Sequence, residues 1–191
     1  MYTNSTRYMP TYLIIGLNLT VYIFTAFFSG NPVEIDHLLI QRWGQYNLFV
    51  LNGRVWQLFT SLFVHTNSVH LLGNLFFLLI FGLRAEEFFA IYEYLAIYLL
   101  SGLAGNLLTL LFGPLMISTG ASGAIFGLFG AGTIYIRHTF GKSIIGALVY
   151  SFFLLIINSG RNVNNLAHLG GLITGLLIGY TLATRRRWED Y

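Results

Sequence analysis

Long apolar runs separated by short polar stretches dominate the chain. Six of them are of membrane-spanning length or a little shorter: 12–28, 69–83, 91–112, 122–138, 143–157 and 166–183. The hydrocarbon core of a bilayer is about 30 Å thick, which a helix of about 20 apolar residues crosses. The pattern therefore predicts six transmembrane helices in an all-α bundle. Pro10 stands where a helix starts, and the stops are equally plain. Arg84, Glu86 and Glu87 close the second run, which could begin as early as Leu58; Gly113-Pro114 closes the third, Arg137-His138 the fourth, and Arg185, Arg186 and Arg187 the sixth. Between the first two runs lies 29–57, with Trp43, Tyr46, Phe49 and Trp56 beside Glu34, Asp36, Arg42 and Arg54. Amphipathic aromatics favour the bilayer interface, so this segment is expected as a loop on or partly in the membrane surface.

Composition agrees. The 191 residues are 55% hydrophobic and 9% charged, where soluble proteins carry about 25% charged residues. Mean hydropathy is +0.68, and the surface this leaves is one for lipid. Residues 1–10 are polar and no small-residue cleavage site follows the first run, so no leader peptide is expected. There is no cysteine, which excludes disulfides, thiol chemistry and cysteine metal sites. The net charge of +3 does not point to nucleic acid, because Lys and Arg are scattered. They read better as topology signals. Six spans put both termini on one side with Arg7, Arg84, Arg137, Lys142, Arg185, Arg186 and Arg187, against Arg42, Arg54 and Arg161 on the other. The positive-inside rule then places both termini in the cytoplasm of a multi-pass cell-membrane protein.

One glycine-framed polar break stands out, Gly120-Ala121-Ser122-Gly123, at the start of the fourth run. A serine there can cap the helix. It can also be a nucleophile whose neighbouring N–H groups stabilise an oxyanion. From Ser122 to His138 is about 25 Å of helix at 1.5 Å per residue, short of the core. Ser122 is thus expected below the outer surface, at the end of a loop that dips into the membrane, which is tolerated only inside protein or beside water.

Ionisable residues within spans are expensive and often functional. His70 and His168 are such residues, and Asn74 and Asn106 are polar companions. His168 lies at a depth like that of Ser122 and can act as its base near neutral pH; a helix-contact histidine is the alternative. His70 and Asn74 are four apart and share a helix face. Both can donate to an oxyanion, or simply join two helices. His65 is expected to organise the preceding loop. Gly171, Gly175 and Gly179, with Gly123, Gly127 and Ala131, recur every fourth residue and make smooth faces that let helices approach.

Together, His70-Leu-Leu-Gly-Asn74, Gly120-Ala-Ser122-Gly123 and Ala167-His168-Leu-Gly-Gly171 with Gly175 resemble the rhomboid family of intramembrane serine proteases. The resemblance covers nearly the whole chain, in order. It implies a six-transmembrane-helix rhomboid-like bundle in a single domain, 1–191. It implies a dyad of Ser122 as nucleophile and His168 as general base and acid. The oxyanion would be held by Asn74, His70 and the Ser122 backbone N–H. Glu86 matches a structural glutamate after the second span and His65 a family histidine; Gly120, Gly123, Gly171 and Gly175 support the site. The function implied is endopeptidase cleavage in or beside transmembrane segments weakened by Gly, Pro or small residues. The site would open to the outer side, with the fifth span and the following loop as a lateral gate. No metal, cofactor or nucleic-acid partner is expected; the partners are membrane substrates and lipid. Two positions depart from the family pattern. Trp56-Gln57 replaces a frequent Trp-Arg, and Phe126 replaces a tyrosine that packs on the histidine. The competing class is a non-catalytic rhomboid-like polytopic protein that binds transmembrane clients, or a small transporter.

Overall fold

The structure is a computed structural model that describes residues 9–141, 143, 145–146, 149 and 164–189. Most of the expected fifth span, 143–157, and the loop residues 158–163 lie outside the described residues. The described chain is mostly helical: α1 (Met9–Ser29), α2 (His37–Trp43), strand β1 (Gln45–Tyr46), α3 (Asn47–Leu51), α4 (Gln57–Thr60), α5 (Ser68–Glu86), α6 (Ile91–Thr109) with a 3₁₀ turn (Leu110–Phe112), strand β2 (Ile117–Ser118), α7 (Ser122–Phe140) and α8 (Asn165–Glu189).

Four of these segments are long and apolar enough to cross a membrane: Met9–Ser29, Ser68–Glu86, Ile91–Phe112 and Asn165–Arg186. Phe27, Val69, Leu72, Tyr92 and Leu177 point outward from them, as side chains facing lipid should. The protein is a multi-pass membrane protein. α7 falls outside that group for a physical reason. It is the inner helix, with Gly123, Ala124, Gly127, Leu128, Gly130 and Ala131 buried, so it meets protein and needs small residues more than oily ones. It packs against α8, α6 and α5. Its 19 residues span about 28 Å. The helix runs past 138, and its length alone therefore does not set Ser122 below the surface.

Where a single interfacial loop was expected over 29–57, the chain forms three short helices and a ladder. Asp36 caps α2 by accepting from Leu38 N at 2.8 Å. β1 pairs antiparallel with β2, Gln45 opposite Ser118 and Tyr46 opposite Ile117. Leu58 belongs to the separate helix α4, so the second span begins only at Ser68. Gln57, which stands where the family often has arginine, is fully buried. Its Nε2 donates to the carbonyls of Gln41 (2.7 Å) and Arg42 (3.2 Å), and its Oε1 accepts from Tyr46 N at 3.1 Å. Buried amides fasten the same segment to the end of α6. Gln45 donates to Asn106 O (2.9 Å), Asn47 to Thr109 O (2.9 Å) and Gly113 O (2.7 Å), and Asn106 to Leu58 O (2.7 Å) and Ser61 Oγ (2.8 Å). Buried polar groups persist only with such partners.

At the other end of the bundle Glu86 accepts from Thr11 N at 2.8 Å, joining α5 to α1. Arg186 pairs with Glu93 and donates to Tyr135 Oη (3.0 Å) and Phe88 O (2.6 Å), tying α8 to α6 and α7.

Candidate active site

The approach to α7 is tightly framed. Gly120 has φ +103°, a conformation that glycine adopts at no steric cost, and its N–H donates to Ser61 O at 2.9 Å. A side chain here would also collide with His70, whose Nε2 lies 2.7 Å from where a Cβ would sit; Asn74 Nδ2 is 3.6 Å from the same point. Ala121 is the cap residue and Ser122 the first residue of α7. The serine side chain does not cap the helix. Its Oγ lies 2.8 Å from His168 Nε2 instead. As a first-turn residue, Ser122 has no intrahelical partner for its N–H.

His168 sits in the first turn of α8 and is 5% exposed. Phe126, one turn along α7 from Ser122, stacks on its ring at 4.7 Å between centroids and 21° between planes. The stack that the family's tyrosine provides is thus kept by phenylalanine, without the hydroxyl. Among the described residues no group bonds His168 Nδ1.

Glycines bring α7 and α8 into backbone contact. A Cβ on Gly171 would overlap the Gly123 carbonyl, one on Gly175 the Gly127 carbonyl, and one on Gly179 the Ala131 backbone. The small residues read from the sequence therefore interlock in register, three steps down the pair. Without that approach Ser122 and His168 could not come within a hydrogen bond.

α5 brings His70 and Asn74 to the same end of the bundle. Asn67 caps it by accepting from His70 N at 2.8 Å. His70 Nδ1 is 3.2 Å from Thr66 Oγ1, and its other nitrogen faces Gly120. Asn74, 7% exposed, gives one amide hydrogen to His70 O at 2.9 Å, which leaves the second available. His65, between α4 and α5, packs edge-on to His70 at 5.1 Å. Burial, and then the second imidazole of His70, push its pKa down to about 3, so it is neutral at any physiological pH.

Asn164 lies between the fifth and sixth apolar runs, outside every motif of the sequence. Its Nδ2 donates to Thr109 Oγ1 (2.6 Å) and Ser118 Oγ (2.8 Å), and its Oδ1 accepts from Ala167 N (3.1 Å). It caps α8 while holding the end of α6 and β2, four residues before each member of the pair: Ser118 precedes Ser122 and Asn164 precedes His168. Asn is a favoured cap, so the cap was legible; the two cross-chain bonds were not. Thr66 went unnoticed because its partner is defined only by the α5 cap. Glu86 lies at the far end of α5 from His70, apart from the pair.

A rhomboid domain model matches residues 52–185. The chain is 38% identical over 150 residues to RHOMBOID-like protein 6, mitochondrial, of Arabidopsis thaliana, covering 74% of this chain and 49% of that protein. It is 36% identical over 149 residues to the rhomboid protein YdcA of Bacillus subtilis, covering 74% of each. With Rhomboid-like protease 3 of Toxoplasma gondii it shares 30% over 173 residues, 84% of this chain and 64% of that one. The chain spans about half the length of most of the Arabidopsis relatives it matches.

Proposed function

The chain belongs to the rhomboid family, and from that membership and the Ser122–His168 contact we propose that it is an intramembrane serine endopeptidase. The observation that carries the reading is the 2.8 Å approach of Ser122 Oγ to His168 Nε2, within the reach a nucleophile and its base need.

In the proposed reaction His168 Nε2 takes the Ser122 hydroxyl proton as Oγ attacks a substrate carbonyl carbon. The carbonyl oxygen becomes an oxyanion. Asn74 through its second amide N–H, His70 through Nε2–H and the Ser122 backbone N–H hold it. In the tautomer this requires, His70 Nδ1 accepts the hydroxyl hydrogen of Thr66, whose Oγ1 lies 3.2 Å away. The C–N bond then breaks and His168 returns the proton to the leaving amine. Water, deprotonated by the same imidazole, attacks the acyl ester; the carboxylic acid leaves and Ser122 regains its proton. Phe126 keeps the His168 ring plane in place throughout. The proposed substrates are transmembrane segments with helix-weakening residues near the cut, since a helical peptide bond is hidden by its own turn.

The proposal takes 1–191 as one membrane domain with six spans, both termini cytoplasmic and the site opening to the opposite side, with 143–157 and the residues after it as the lateral gate. The test is cleavage of a labelled transmembrane substrate by reconstituted protein. Wild type cuts and Ser122→Ala does not; equal cleavage by both would return the protein to the client-binding or transport class.

A further inference from the structure

A large cavity lies away from the serine and histidine, formed by α2, α3 and α4 in the interfacial segment. Its volume is about 920 Å³, and Arg42, Arg54, Trp43, Trp56, Phe49 and Leu38 line it. No carboxylate among the described residues does. Arg42 lies over the Trp43 ring at 5.5 Å and Arg54 over Phe49 at 4.1 Å. Neither guanidinium has an ion-pair partner among the described residues. Stacking fixes the plane of a guanidinium and leaves its edge N–H groups free.

Backbone carbonyls nearby are also kept from opposing an anion. Carbonyls at the C-terminal end of α2 would repel one. Three of them are engaged: Gln57 Nε2 donates to Gln41 O and Arg42 O, and Thr60 Oγ1 donates to Trp43 O at 2.6 Å. Arg42 and Arg54 are also two of the three basic residues expected on the side opposite the arginine-rich C-terminal end; the third is Arg161. On a chain with 9% charged residues, their meeting at one cavity is a concentration of charge. The apolar wall runs out onto exposed Leu38 and Trp56, side chains of the kind that sit at the level of lipid headgroups.

We propose that this cavity binds an anionic phospholipid. Arg42 and Arg54 hold the phosphodiester through charge-assisted N–H bonds. Trp43, Trp56 and Leu38 cover the glycerol backbone and the first methylenes of an acyl chain. The site rests on the membrane fold alone and is independent of the proteolytic reading. Its effect is to fix how the α2–α4 segment, joined through β1 and β2 to the strand before Ser122, sits in the interface.

The experiment is native mass spectrometry of the full chain, released from detergent micelles doped with dioleoylphosphatidylglycerol or dioleoylphosphatidylcholine. Wild type retains one phosphatidylglycerol at least tenfold more strongly than phosphatidylcholine. The double variant Arg42→Gln/Arg54→Gln loses that preference while its melting temperature in the same detergent is unchanged. If the double variant does not fold, Arg54→Gln alone, at an exposed position, carries the test with a smaller loss of preference. Equal retention of the two lipids by wild type, or an undiminished preference in a folded variant, overturns the proposal. Displacement of the lipid by millimolar inorganic phosphate also overturns it, because the site would then recognise the anion alone.

Discussion

Asn74 spends one amide hydrogen on the His70 carbonyl and keeps the other. An oxyanion donor lost by Asn74→Ala should lower kcat by about ten- to a thousandfold with the fold intact; initial rates and a melting curve in the same detergent check both halves. His65 carries a different prediction. Its imidazole is held neutral in the folded protein, with a pKa near 3 against an ordinary 6.5. The unfolded chain therefore binds a proton that the folded one refuses as pH falls below about 6.5, and folding stability drops across the window from there toward about 3. Melting temperatures at pH 7 and pH 5 should differ less in His65→Gln than in wild type; an unchanged difference would remove His65 from that role. At this scale the motifs made Ser122, His168, His70 and Asn74 legible as candidates. The partners of Gln57 were hidden because only the folded α2–β1 segment brings them near, and that of Thr66 because it depends on how α5 is capped.

The α7–α8 pair turns a small-residue repeat into geometry. A Cβ on Gly175 meets backbone of Gly127, and backbone cannot swing aside as a side chain can. Gly175→Ala should therefore destabilise the bundle by about 1–3 kcal/mol and cut the rate, whereas Gly73→Ala, with open space at its Cβ, should do neither. Thermal unfolding of the two variants in one detergent decides. Asn164 acts across elements too. Asn164→Ser keeps an oxygen for the α8 cap but cannot reach both Thr109 and Ser118 as donor. Turnover should fall ten- to a hundredfold, as for a displaced catalytic group, with KM unchanged; a rise in KM alone would argue against a positioning role. The long helices were readable from hydropathy. The β1–β2 ladder was not, since two-residue strands far apart in sequence leave no local signal. α7 was read from the sequence as the fourth run, 122–138, and the helix covers Ser122–Phe140, although an inner helix trades apolar residues for glycine.

For the molecule as a whole, family, membrane setting and mostly helical architecture agree. Apolar side chains on α1, α5, α6 and α8 point outward, α5, α6 and α8 pack on the buried first half of α7, and polar side chains gather at the two ends of the bundle. Glu86 and Arg186 brace one end; Gln57, Asn106 and Asn164 brace the other, where the serine and histidine meet. That division was visible in the sequence only as a list of polar residues near span boundaries. The proposed activity requires Ser122 to be a nucleophile made reactive by His168. Its most direct test is labelling of the folded protein with a fluorophosphonate, followed by peptide mapping. One adduct is expected, on Ser122, that disappears in His168→Ala and in Ser122→Ala. An adduct elsewhere, or labelling of Ser122 that persists undiminished in His168→Ala, would contradict it.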